Sequence, residues 1–260
     1  MPSKKHFFKT MSDNIRSALE ELYFLSDAYV VGGAVRDSLI GRESDDIDVA
    51  TRDRPETVKA KAEFRGWNTV DTGIDHGTVT LLKGDSEYEV TTFRRDVSTD
   101  GRNATVEFAT AVEEDLKRRD FTINAMAAGL DSSGNEFMKD PFGGIEDLIN
   151  ERIRAVGDPK TRFREDLLRI VRAFRFGARY GFEIGDPERS AIEELSGEVV
   201  DNVSPERITA EIKKAMKSPN PHSFTSKLVG SGILADYVKP LTGKIRNPER
   251  FIDIRESDRA

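Results

Sequence analysis

Two carboxylates one residue apart, Asp46 and Asp48, enclose Ile47 in the stretch DDIDVAT (45–51). In an extended chain alternate side chains share a face, so the two acids project together while Ile47 and Val49 turn toward the core. Like charges held this close cost energy unless a cation neutralises them. Hard carboxylate oxygens suit magnesium, which completes its shell with waters and substrate phosphates. A pair of such ions serves in-line phosphoryl transfer by activating a hydroxyl and steadying a leaving pyrophosphate. Upstream, Gly32 and Gly33 close the apolar run YVV and open a helix, where free backbone N–H groups can meet phosphate. Arg36 follows one turn into that helix, with Asp37 beside it as its partner. A lone Asp-x-Asp is usually a surface feature, and a tight strand-to-helix turn accounts for the glycines. Neither explains Arg36 together with the downstream acids.

A second constellation is EDLLRIVRAFR (165–175). On a helical wheel with about 100° per residue and Asp166 at zero, Leu167, Ile170, Val171 and Phe174 fall on one apolar arc. Arg169, Arg172 and Arg175 fall opposite, in a row that begins at Asp166. An ordinary amphipathic helix with a wet arginine face fits the same wheel, but leaves one carboxylate at the head of an arginine line unexplained.

The elements needed to carry these groups can be read from hydrophobic periodicity. Residues 13–25 have helical spacing, 29–31 form a short buried strand, 34–40 a helix stopped by Gly41, and 46–51 a strand. A helix with Pro55 near its start ends at Gly66, and GTVTLLKGDSEYEVTTF (77–93) is a hairpin turning at Gly84-Asp85. The polar run RRDVSTDGRNAT (94–105) reads as a loop, 106–108 as a strand, and helices dominate from Asp120 onward, with Asp120 capping the first and Ile123 and Met126 facing the core. Trp67 reads as packing, His76 as a structural or substrate-side residue, and Asp45 as a turn residue. A sheet followed by helices predicts an α+β fold. The boundary falls near DPFGG, giving a head at 1–143, a helical neck at 144–217 and a remnant of a body at 218–260.

The 260 residues carry a net charge of −7, which argues against a protein that coats long stretches of nucleic acid. The charge is uneven: nine basic residues against four acidic lie between Glu151 and Arg179, the footprint of a confined polyanion site. The absence of cysteine excludes disulfides, zinc–thiolate sites and thiol nucleophiles. No stretch has the length or apolarity to span a bilayer and the N-terminus lacks a signal-peptide core, so a cytoplasmic location without membrane partners is expected.

GGAVRD (32–37) followed by DDIDVAT resembles the signature of the class II tRNA nucleotidyltransferases and bacterial poly(A) polymerases, within the polymerase-β-like superfamily. YEVTTFR (88–94), EEDLKRRDFTINAMA (113–127), DPFGG (140–144), RFREDLLRIVRAFRF (162–176) and VSPERITAEIKK (203–214) match further motifs in order. The resemblance implies a polymerase-β-like head, with a small mixed sheet and flanking helices, then an all-helical neck and a truncated body. It implies transfer of CMP or AMP from CTP or ATP to an RNA 3′-hydroxyl with release of pyrophosphate. CCA addition to tRNA 3′ ends comes first; A-adding, CC-adding and poly(A) activities are the alternatives, and a non-catalytic RNA or nucleotide binder is the remaining one. Mg²⁺ would sit on Asp46 and Asp48, and Glu89 is a third acidic residue of the catalytic set. Gly32, Gly33 and Arg36 would meet the phosphates, and Arg119 and Asp120 the nucleotide, with Asp120 near the ribose, where a carboxylate favours a 2′-hydroxyl.

Base chemistry gives the neck motif a purpose. Cytosine and adenine each present an exocyclic amine beside a ring-nitrogen acceptor, so Asp166 can accept from the amine while Arg169 donates to the ring. Uracil and guanine place a carbonyl against the carboxylate and are refused. Arg172 and Arg175 then serve the incoming phosphates or the primer end. Two features depart from the pattern. The loop TDGRNATVEF keeps Asp100 and Arg102 but has Asn103 and Ala104 where relatives carry an Arg-Arg-Pro run, which bears on C-to-A switching. The chain also ends soon after the neck, so the RNA grip would need a smaller acceptor, a partner or an oligomer.

Overall fold

The computed structural model describes residues 11–44, 46–74, 77–99 and 104–233. Asp45, His76, His6 and the loop positions Asp100, Arg102 and Asn103 lie outside the described residues.

The head is built on one seven-stranded mixed sheet. Its strands are β1 (Tyr29–Val31), β2 (Asp48–Thr51), β3 (Asn68–Gly73), β4 (Thr78–Lys83), β5 (Ser86–Thr92), β8 (Ala127–Leu130) and β9 (Glu136–Lys139), in the order β3-β4-β5-β2-β1-β8-β9. Period-2 alternation sorts the side chains into two buried layers. Val30, Val49 and Val90 pack on one face with α1 (Asp13–Glu21), α2 (Gly33–Leu39) and α3 (Pro55–Glu63); Tyr29, Val31 and Ala50 pack on the other with Phe93, Val112 and Leu116. Ile15, Ala18, Leu19 and Leu22 give α1 its single buried stripe. Pro55 opens α3, and Gly66, at φ 75°, lets the chain turn back after it. The β4–β5 hairpin turns on Gly84-Asp85, with Lys83 opposite Ser86, a two-residue connection.

Three expectations change. The polar run after Phe93 is not a loop throughout: β6 (Arg94–Thr99) and β7 (Ala104–Phe108) form an antiparallel ribbon, because backbone pairing overrides a polar composition. Helices do not take over at Asp120, since β8 and β9 return to the head sheet beside β1. Asp120 does not cap a long helix; it precedes a single 3-10 turn (Thr122–Asn124), where its carboxylate accepts the Phe121 N–H and the Asn124 amide. Ile123 and Met126 are fully buried as expected.

After β7 come α4 (Val112–Lys117), on the Phe93 face of the sheet, and, past Gly143, the helices α5 (Gly144–Ile149), α6 (Pro159–Glu165), α7 (Leu168–Tyr180), α8 (Asp186–Leu195), α9 (Val199–Asn202), α10 (Pro205–Met216) and α11 (Pro221–Gly230). Two short parallel strands, β10 (Arg152–Ile153) and β11 (Glu183–Ile184), interrupt the series. Helix α7 is the axis of this part. Ile170, Val171, Ala173 and Phe174 are buried, and α10 and α11 pack along it. No helix among the described residues is long and apolar enough to cross a membrane.

Candidate active site

The carboxylate strand enters the sheet at Asp48; Asp46 lies just before it and is exposed. Ile47 and Val49 pack into the core, so the expected division of the stretch between an acidic and an apolar side holds. Parallel pairing of β2 with β5 sets Asp48 in register with Glu89 and Ala50 with Thr91. Asp48 and Glu89 therefore stand side by side on one face, at the edge of a cleft of about 770 Å³. Burial pushes the Asp48 carboxyl above the usual carboxylate range, the negative charges of Asp46 and Glu89 push the same way, and Arg119 opposes them. Among the described residues no three such side chains converge to hold an ion by themselves, so Glu89 flanks the pair rather than completing a cage. An under-neutralised group of hard oxygens fits a magnesium ion whose remaining ligands come from water and phosphate.

Beside the carboxylate strand, at the end of β1, the glycine turn packs against Arg119. Gly32 has φ 72°, so its backbone demands glycine, and a Cβ there would lie 2.5 Å from Arg119 Nη1 and displace that guanidinium. The Gly32 N–H donates to the Met126 carbonyl, which corrects its expected role: it shapes the turn, and the N–H offered to phosphate is not its own. Gly33 begins α2 and lines the cleft. Arg36 lines the cleft while buried: its Nε donates to Asp37, its Nη1 to the Asn124 side chain, and its guanidinium lies over the Phe176 and Tyr180 rings. Arg119 is anchored by Asp115 at 3.2 Å, yet its Nε is buried with no hydrogen-bond partner among the described residues. A buried orphan donor facing a cleft is what a missing acceptor leaves behind.

The neck supplies the cationic wall. The chain breaks at Asp166, which corrects the continuous wheel: Asp166 is extended (φ −158°, ψ 102°) between α6 and α7. One carboxylate oxygen accepts the Leu168 N–H at 3.2 Å and the other accepts Arg207 at 2.8 Å. Arg169 Nη1 donates to Glu165 and to the Arg162 carbonyl, and Nη2 to the Arg118 carbonyl. Arg172 is bound to Asp120 at 2.6 Å and faces Glu211 at 3.6 Å, while Arg175 pairs with Glu211. The arginine side is therefore not a wet surface; each member is held by a carboxylate or carbonyl. Burial pushes Asp120 up, but Arg172 and the donors from Asn124 and Phe121 outweigh it and hold the carboxyl down at about 2.

Gly32, Gly33, Arg36, Asp48, Glu89, Arg119, Asp120, Asp166, Arg169, Arg172 and Arg175 all line this one cleft; Asp46 is adjacent through its charge on Asp48. The lining also includes Arg94, Asp115, Arg118, Asn124, Phe176 and Arg207, which sequence reasoning did not single out. Their signal was available only as membership of quoted motifs. Eight arginines against five carboxylates line the cleft, a local excess of positive charge on an acidic chain.

Residues 28–154 match the Poly A polymerase head domain, and residues 181–242 match a probable RNA- and SrmB-binding site of polymerase A. The chain belongs to the tRNA nucleotidyltransferase and poly(A) polymerase family. A CCA-adding enzyme of Leuconostoc citreum is 42% identical over 225 residues, which are 86% of this chain and 53% of that protein. Among solved structures, the Bacillus stearothermophilus CCA-adding enzyme in complex with CTP superposes with a TM-score of 0.70 at 38% identity, covering 90% of this chain and 53% of that one. A tRNA nucleotidyltransferase complexed with a primer tRNA and an incoming ATP analogue gives 0.69 at 31% identity, covering 85% and 61%. The chain thus spans about half the length of the curated relatives it matches.

Proposed function

We propose that this chain catalyses template-independent transfer of CMP or AMP from CTP or ATP to the 3′-hydroxyl of an RNA, foremost the CCA addition carried in the names of its relatives. The observation that carries the reading is that Asp48 and Glu89 of the head sheet line the same cleft as Asp166 and Arg169. Such a cleft accommodates both ends of a nucleoside triphosphate.

Asp46 and Asp48 are the residues that would hold magnesium, consistent with the upward push on Asp48. A metal held there would supply positive charge against the triphosphate and would lower the pKa of the 3′-hydroxyl. The chain's own residues do the rest. Arg36, buried and oriented by Asp37, presents its guanidinium beside Gly33 to the phosphates. Arg119 lines the cleft with its Nη1 against Gly32 and its Nε without a partner among the described residues. Asp120, ionised down to about pH 2 and fixed against Arg172, presents an acceptor toward the ribose side of the cleft. A carboxylate has about four acceptor positions, so Asp166 keeps capacity for an exocyclic amine after serving Leu168 and Arg207. Arg169 reads the base by exchanging a carbonyl contact for the ring nitrogen. An RNA acceptor gains from the excess of arginines, with Arg175 and Arg172 fixed in place by Glu211.

The test offers the protein magnesium, labelled ATP or CTP, and three tRNA transcripts ending before CCA, after C and after CC. Label enters at least one transcript, and Asp46→Ala or Asp48→Ala lowers incorporation by about 10³-fold or more. Incorporation only from ATP into the CC-ending transcript identifies an A-adding enzyme. No incorporation from either nucleotide, or undiminished activity in the variants, refutes the reading.

A further inference from the structure

The phosphate-facing side of the head is braced by a residue of the neck that none of the expected functions assigns. Tyr180, the last residue of α7, donates its hydroxyl to Asp37 Oδ1 at 2.9 Å. The same oxygen accepts Arg36 Nε at 2.9 Å. The Tyr180 ring lies 4.8 Å from the Arg36 guanidinium and stacks on Phe176, with planes 13° apart and centroids 6.2 Å apart; Phe176 in turn lies 5.3 Å from the same guanidinium. Arg179 reaches the other Asp37 oxygen at 3.7 Å. Arg36 is thus held from behind by Asp37, from the side by Asn124 and over its face by two rings one helical turn apart. Three of these four restraints pass through Asp37 or α7, and the two are joined by the Tyr180 hydroxyl at 2.9 Å and by the longer Arg179 contact at 3.7 Å.

We infer that Tyr180 is a positioning residue that orients Arg36 through Asp37, and so couples the seating of α7 to recognition of the nucleotide's phosphates. The inference rests on the reading above that Arg36 meets those phosphates. A guanidinium makes directional contacts, and a misplacement of about 1 Å in a binding group costs far more than the loss of a packing contact. The phenol is suited to the task. Burial pushes its pKa up to about 12, so it remains a donor throughout neutral pH. The ring also supplies the electron-rich face that a desolvated cation prefers. Tyr180 is not a catalytic residue, since it touches Arg36 and Asp37 rather than the cleft's contents, and it is absent from the cleft lining.

The test measures equilibrium binding of CTP, inorganic tripolyphosphate and cytidine to the full chain and its variants. Tyr180→Phe, which keeps the ring and removes the hydroxyl, weakens CTP and tripolyphosphate about threefold to tenfold and leaves cytidine unchanged. Tyr180→Leu, which removes both, weakens them more than tenfold. In an Arg36→Ala background the Tyr180→Phe change has no further effect, because the orientation it sets no longer matters. Turnover at saturating CTP is retained by Tyr180→Phe, so the defect is in KM rather than kcat. If both variants melt at lower temperature but bind CTP and tripolyphosphate as the parent does, Tyr180 is structural and the inference fails while the proposed function stands. If the parent binds neither CTP nor tripolyphosphate, both fall together.

Discussion

The two walls of the cleft solve their electrostatics in opposite ways. On the neck wall every arginine has a counter-charge or carbonyl in place: Arg172 has Asp120 and Glu211, Arg175 has Glu211, and Arg169 has Glu165. On the head wall the acids face one another. Asp48 is burdened by burial, by Asp46 and by Glu89, with Arg119 as the opposing influence. The satisfied wall is preorganised, so its groups need little rearrangement before they meet a ligand. The unsatisfied wall stores repulsion that a cation relieves. A partly buried carboxylate crowded by exposed like charges is costly, and such a group is retained where a ligand supplies what is missing.

The comparison is broken most severely on the acidic wall, where removing Asp46 or Asp48 takes away the largest share of activity, about 10³-fold or more in nucleotide incorporation, with little loss of fold. On the neck wall the order reverses. Arg175→Ala leaves Glu211, 4% exposed, with the longer Arg172 contact and lowers the unfolding free energy by about 2 kcal/mol, read by denaturant titration. Asp120 sharpens the same contrast. Its folded carboxyl lies at about 2 against an ordinary 3.8, so its ionised form stabilises the fold. That contribution, about 2 kcal/mol, is fully present above pH 3.8 and is lost as pH falls toward 2. Asp120→Asn therefore lowers stability at neutral pH and flattens the acid limb of a Tm-against-pH curve.

Much of this was legible in the sequence because it follows short-range rules. Alternation put Asp46 and Asp48 opposite Ile47 and Val49, helical spacing found α1 and the buried stripe of α7, and Gly84-Asp85 marked the hairpin. What escaped was long-range. The pairing of Asp48 with Glu89 needs a parallel register across 41 positions, and the ties of Arg172 to Asp120 and Arg207 to Asp166 join residues 52 and 41 positions apart. The strand read at 106–108 is the end of β7, but its partner β6 escaped because its composition is polar, and β8 escaped because AAGL carries little strand propensity of its own. The wheel drawn through Asp166 failed for a local reason: Asp166 is extended, its carboxylate accepts the Leu168 N–H at the start of α7, and the helix begins only at Leu168.

The most direct test of the central claim, that the acidic wall is incomplete without a cation, is the melting temperature of the parent chain and of Asp48→Asn, each with and without Mg²⁺ and CTP. A raised carboxyl stabilises the fold below its unfolded pKa and loses that contribution as pH rises through the folded one. At neutral pH without metal, Asp48→Asn therefore melts above the parent. With Mg²⁺ and CTP at about 100 times their dissociation constant the parent gains about 2.7 kcal/mol and overtakes the variant, which gains far less. A variant that melts below the parent without metal, or gains as much from Mg²⁺ and CTP, contradicts the account.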